Sequence, residues 1–183
     1  NKSTVDDFGF IETLMTELSN NYQIDNNRIY AAGFSNGAAF AFGLACYQSE
    51  NIAAVVSVSG SMSPTQEQGC DPQHPVPVMT IHGTQDSYFT YQGGYYLSMS
   101  DVTDYWTLFN QTQTTLPTET VTDTKNNFIV EKFSYTQGNN GSKVDHFKVN
   151  GGYHTWFDLD FNGDSTEELI WNFVSGFDIN GAR

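Results

Sequence analysis

The chain has 183 residues, enough for one domain with a substantial core and short for two. Seven lysines and arginines stand against 21 aspartates and glutamates, a formal charge of −14 that repels nucleic acid and anionic membrane surfaces and suits neutral or cationic partners. No run approaches the ~20 apolar residues of a membrane span, and the opening Asn1-Lys2-Ser3-Thr4 lacks the apolar core of a signal peptide, so the chain reads as soluble and, if exported, already processed.

In chain order, Phe8, Ile11, Met15, Leu18 and Tyr22 recur at steps of three and four, which predicts an amphipathic helix over residues 4–22. Asp25-Asn26-Asn27 makes a turn, residues 28–32 a strand, and residues 36–46 a helix rich in glycine and alanine. Residues 52–59 and 76–82 are continuous apolar runs of strand length, as expected of strands covered on both faces in a parallel sheet. Val102, Tyr105, Trp106 and Phe109 mark another helix. A threonine-rich stretch follows, then strands over 128–135 and 143–149 joined through Gly138-Asn139-Asn140-Gly141. Leu169, Ile170, Phe173, Val174 and Phe177 stripe a final helix capped by Asp164 or Ser165, with Glu167 and Glu168 in its first turn. The order predicts one α/β domain over residues 1–183 with a mainly parallel sheet.

Gly33-Phe34-Ser35-Asn36-Gly37 falls where the first strand runs into the glycine-rich helix. A serine on so sharp a turn has its hydroxyl lifted out of the sheet, and flanking glycines let strand and helix pack closely, so Ser35 is the candidate nucleophile. A serine hydroxyl needs a histidine to take its proton and a carboxylate to orient that histidine. In sheet-based hydrolases these follow as serine, acid, histidine, each after a strand end. Asp86 follows the strand over 76–82, whereas Asp101, Asp104 and Asp145 fall on a helix or within a strand. His154 follows the strand end and glycine turn at 149–153, whereas His82 and His146 fall within strands and His74 before one. Asp86 is therefore the orienting acid and His154 the general base.

The tetrahedral intermediate needs N–H donors, one of them from Asn36, directly after the nucleophile. A second donor normally comes from a loop after an earlier strand. No His-Gly-Gly-like loop lies upstream here, so the expectation is that a further N-terminal segment or a separate chain completes the fold, the alternative being an unusually reduced fold. Phe34, Tyr88, Phe89 and Trp156 are candidate substrate-pocket residues, with Tyr91, Tyr95 and Tyr96 nearby in sequence. Cys46 and Cys70 are read as a disulfide, the alternative being two unpaired thiols. Asp158, Asp160, Asn162, Gly163 and Asp164 mimic half of a calcium loop, but its twelfth position falls on Leu169, so an acidic helix-capping turn is expected and no metal is assigned. Asn110-Gln111-Thr112 and Asn140-Gly141-Ser142 match the glycosylation pattern, which is too short to carry weight.

The nucleophile segment, His82-Gly83-Thr84-Gln85-Asp86, Tyr91-Gln92-Gly93-Gly94 and Gly151-Gly152-Tyr153-His154-Thr155-Trp156 together resemble the secreted esterases grouped with polyhydroxybutyrate depolymerases and feruloyl or acetylxylan esterases. The resemblance spans nearly the whole chain. It implies an α/β-hydrolase fold with helices on both sheet faces, a triad of Ser35, Asp86 and His154, and hydrolysis of carboxylic esters without a cofactor in a secreted or periplasmic protein. The chain departs from the pattern in lacking the first strands and in having Phe89-Thr90 where a Val-Pro-like pair is common. Small-molecule or polymeric esters fit the motif, with short-chain, feruloyl, acetyl and polyester acyl groups all open. A catalytically idle carbohydrate- or polymer-binding module and a serine peptidase are the competing readings.

Overall fold

The computed structural model describes residues 5–183, with backbone placement alone across 114–118; Asn1-Lys2-Ser3-Thr4 and the predicted helix start at residue 4 lie outside the described residues. Helix α1 (Asp7–Asn21) is capped by the Asp6 carboxylate, which accepts from the Gly9 N–H. Strand β1 (Tyr30–Phe34) runs straight into α2 (Asn36–Tyr47). Strand β2 (Ala54–Val58), a short helix α3 (Pro64–Gln68), strand β3 (Val78–Gly83) and helix α4 (Met99–Asn110) follow. The sheet is completed by β4 (Gln113–Asp123), β5 (Phe128–Thr136) and β6 (Val144–Asn150), and helix α5 (Thr166–Val174) follows near the C-terminus.

The six strands are ordered β1-β2-β3-β6-β5-β4. β1, β2, β3 and β6 are parallel, in a register that aligns Gly33 with Ser57, Ser57 with Thr80, and Thr80 with His146. β5 and β4 add antiparallel. Alternate residues of β2 split between two cores, which is why its sequence is apolar throughout. Ala54, Val56 and Val58 face a cluster with Phe147, Leu169 and Phe173, covered by α5. Val55 faces the opposite cluster with Phe42, Val102 and Trp106, covered by α2 and α4.

Two expectations are corrected, and a stretch given no element proves to be a strand. The first strand lies two residues further along than residues 28–32, so Ser35 leaves it without a spacer. The threonine-rich stretch is the long edge strand β4, as β-branched residues favour, paired with β5 in an antiparallel ladder that is interrupted by a register shift between Thr115 and Glu119. The α1 stripe is only half used: Phe8, Ile11 and Met15 pack on the core, whereas Leu18 and Tyr22 are exposed.

Cys46 and Cys70 form a disulfide that ties the end of α2 to the loop before β3. The acidic turn is a hairpin of β7 (Asp160–Phe161) and β8 (Asp164–Ser165), in which Asn162 and Gly163 both adopt positive φ. Asp160 accepts from the Gly163 N–H and Asp158 pairs with Lys125. Of the two residues offered as N-cap, Ser165 is the one used, in a reciprocal box with Glu168. Among the described residues no three His, Cys, Asp or Glu side chains converge to hold a metal ion.

Candidate active site

Ser35 connects β1 to α2 at φ 56° and ψ −119°, a region L-residues rarely adopt, which costs on the order of 1–3 kcal/mol and aims the side chain away from the sheet. Gly33 is required for this turn, since a Cβ there would lie 2.2 Å from the Gly37 carbonyl carbon and oxygen. Gly37 is not required in the same sense: a Cβ on it would meet nothing within 4 Å, so the expected need for both glycines holds only for the first. Gly60, after β2, is a second close approach, not anticipated from the sequence: a Cβ there would press on Ala38 and the Ser35 carbonyl.

β3 ends at Gly83, whose Cα packs against Gly152; a Cβ would sit 2.2 Å from the Gly152 oxygen. The Gln85 N–H donates to that same oxygen and the Gly151 N–H donates to Thr84 Oγ1, so the loops after β3 and β6 are laced together. This lacing brings Asp86 and His154 side by side. The Asp86 side chain is fully buried, and its Oδ1 accepts from the backbone N–H groups of Tyr88 (2.8 Å) and Phe89 (2.9 Å). Its Oδ2 accepts from His154 Nδ1 at 2.8 Å, and His154 Nε2 lies 2.9 Å from Ser35 Oγ, which donates to it. Positions 119 residues apart in the chain thereby meet in one hydrogen-bonded chain of carboxylate, imidazole and hydroxyl.

Asn36 opens α2 directly after Ser35, so its N–H has no intrahelical acceptor. Two open grooves reach it. One, of about 580 Å³, is lined by Phe8, Phe40, Ser63, Gln66 and Tyr96, and a more apolar one of about 400 Å³ by Phe10, Ile11 and Gly37. The contribution of α1 to these walls was not visible in the sequence, because it depends on how the helix packs against α2, where Phe8 meets Phe40 and Tyr47.

The predicted pocket residues divide. Phe34 and Tyr88 flank the His154 ring at 5.0 and 4.8 Å and are solvent-exposed. Trp156 is likewise exposed and donates from Nε1 to Glu167. Phe89 is buried, stacked behind His154 at 6.0 Å and against Tyr96 at 4.3 Å, and so backs the imidazole rather than lining an opening. Tyr91 lies elsewhere, bonded to His146. His146 is sealed between Thr80 and Tyr91, and burial pushes its pKa down to about 3. His74 rests against the carbonyls of Ser49 and Pro75. His82 is also buried, but its Nε2 lies 3.5 Å from Asp86 Oδ2, a proximity that its place within a strand did not suggest.

A mainly parallel sheet covered on both faces, with a serine on the turn between strand and helix, defines an α/β-hydrolase fold. Residues 6–118 match the phospholipase/carboxylesterase family model, and the chain belongs to that family. It is similar to a bifunctional acetylxylan esterase/xylanase of Neocallimastix patriciarum, 27% identical over 96% of this chain and 24% of that protein. It is also similar to feruloyl esterase B of Piromyces equi, 28% identical over 95% of this chain and 32% of that protein. The chain thus spans about a quarter to a third of these relatives' length. Among solved structures, an acetyl xylan esterase from Aspergillus awamori shares the fold with a TM-score of 0.62 at 16% identity, covering 91% of this chain and 66% of that one. No helix among the described residues is long and apolar enough to cross a membrane.

Proposed function

We propose that the chain is a serine-dependent carboxylic ester hydrolase domain, with Ser35 as nucleophile, His154 as general acid and base, and Asp86 as the acid that orients it. The observation that carries this reading is the unbroken hydrogen-bonded chain Asp86–His154–Ser35. Ser35 Oγ attacks the ester carbonyl as its proton passes to His154 Nε2. The carbonyl oxygen becomes an oxyanion facing the Asn36 N–H. Collapse expels the alcohol, which takes the proton from His154 and leaves an acyl-serine. Water then attacks that ester with its proton going to His154, and the proton returns to Ser35 as the carboxylic acid departs. Asp86 remains ionised throughout, stabilising the transient imidazolium. The exposed rings of Phe34, Tyr88 and Trp156 suit an acyl or alcohol group stacked at the rim, in keeping with relatives named as feruloyl and acetylxylan esterases. The disulfide suits an oxidising, extracytoplasmic compartment.

A further segment belongs beside β1. Among the described residues this strand has no neighbour on its outer side, Ala32 at its middle is exposed, and exposed Phe10 lines the groove that ends at Asn36. An edge strand presents a row of unpaired backbone N–H and C=O groups, which native proteins pair, cover or blunt. A strand-bearing segment there would supply the second oxyanion donor, a group whose loss costs ~100- to 1,000-fold in turnover.

The test is hydrolysis of short-chain p-nitrophenyl esters by the chain, with and without its native flanking sequence, and by Ser35→Ala. A fall on the order of 10⁶ is expected on removing the nucleophile from the complete site. Equal rates in wild type and Ser35→Ala refute the assignment. Stoichiometric labelling of Ser35 by an organophosphate separates an esterase from a binding module.

A further inference from the structure

Asp86 has two imidazoles beside it. On the outer side, His154 Nδ1 donates to Oδ2; on the inner side, His82 Nε2 lies 3.5 Å from the same oxygen. His82 comes from β3, four residues before Asp86, and its side chain is sealed from solvent. Its Nε2 is 2.7 Å from the Phe89 carbonyl oxygen, which only accepts, so Nε2 carries the proton. That carbonyl closes a short loop: Phe89 donates its own N–H to Asp86 Oδ1, and Tyr88 does the same. His82 therefore pins the far end of the turn whose N–H groups hold the carboxylate.

The charge state fits this role. Desolvation lowers the His82 pKa, so the ring is a neutral donor rather than a cation. A protonated ring at that distance would pair with Asp86 and weaken its hold on the His154 imidazolium. A neutral N–H holds the turn and leaves the negative charge available. Around the His82 ring stand the Phe89 and Gly60 carbonyls, the Asp86 carboxylate, the His154 imidazole beyond it, the Tyr91 ring 6.0 Å away and, further along the sheet, the buried and neutral His146 imidazole.

We propose that His82 is a positioning residue for Asp86: through its Nε2 proton it fixes the turn at residues 86–89 and so the aim of the carboxylate at His154. This rests on the esterase reading of Ser35, Asp86 and His154, and adds to it a residue outside the three.

The experiment compares wild type with His82→Gln, whose amide N–H reaches the Nε2 position, and with His82→Leu and His82→Asn, in which no donor does. The first readout is the titration midpoint of His154, followed by NMR of its ring protons, which needs no turnover. In the Leu and Asn variants it is expected to fall by roughly one pH unit, as the imidazolium loses a well-aimed carboxylate, and in Gln to stay within about 0.3 of wild type. The second readout is ester hydrolysis, with kcat down about 10- to 100-fold in Leu and Asn at little-changed KM, and Gln within about threefold of wild type. Should His82→Leu fail to fold, the Gln and Asn pair carries the same comparison. An unshifted or raised His154 midpoint in the donor-free variants, or a Gln variant as impaired as Asn, overturns the proposal. Absence of Ser35-dependent turnover in wild type, with the midpoints moving as described, would instead count against the esterase reading alone.

Discussion

Gly33 and Gly37 meet across the turn that carries Ser35, with the backbone of Gly37 occupying the space where a side chain on Gly33 would begin. The contact is one-sided. A methyl on Gly33 collides with main chain that cannot rotate away, whereas a methyl on Gly37 points into open space. Gly33→Ala is expected to lose about 3 kcal/mol or to displace α2. Gly37→Ala should leave stability within about 0.5 kcal/mol, since alanine is the better helix former. Urea unfolding of both variants checks the asymmetry, and similar losses in the two would contradict it.

Asp86→Asn tests the acid without disturbing the packing. An amide oxygen in place of Oδ1 still accepts from Tyr88 and Phe89, so the fold should hold. The amide NH2 would then face His154 Nδ1 and favour the wrong tautomer. A fall in kcat on the order of 10⁴ is expected, with an unchanged circular dichroism spectrum. A fall of less than tenfold would remove Asp86 from the mechanism.

The disulfide lies at the opposite end of α2 from Asn36. Its contribution belongs to the unfolded chain, which it shortens by a loop of 24 residues, worth about 3 kcal/mol. The double variant Cys46→Ala with Cys70→Ala should melt at a clearly lower temperature yet retain kcat within about twofold at 25 °C. Thermal unfolding and steady-state assays on one preparation measure both.

His146 sets an acid limit on stability. Its pKa of about 3 in the folded protein lies below the ordinary 6.5, because burial between Thr80 and Tyr91 penalises the charged ring. The unfolded chain therefore binds the extra proton first. Stability is fully present above pH 6.5 and is lost as pH falls from 6.5 towards 3, by at most about 1.4 kcal/mol per pH unit from this group. His146→Gln keeps a polar side chain without a titrating one and should flatten that slope. Urea midpoints at pH 7, 6, 5 and 4 for both proteins provide the comparison, and parallel slopes would contradict the assignment.

What the sequence alone determined about this protein is what short-range physics can write into it. Apolar runs of strand length, a glycine-rich helix after a strand and a serine between them identify the parallel core and the sharp strand-to-helix turn at Ser35, because backbone conformation and two-sided burial are local demands. That Ser35, Asp86 and His154 would meet was legible for a related reason, each lying on a turn or loop that follows a strand end. Tertiary structure decided the rest. The threonine-rich stretch became β4 only because β5 offered it a ladder, and Leu18 and Tyr22 are exposed only because of how α1 packs against α2. Phe89 turned inward, and His82, indistinguishable in sequence from any histidine inside a strand, came to rest against Asp86. Such relations depend on which strands become neighbours and which loops are laced together, and those choices minimise the free energy of the whole chain rather than of any segment.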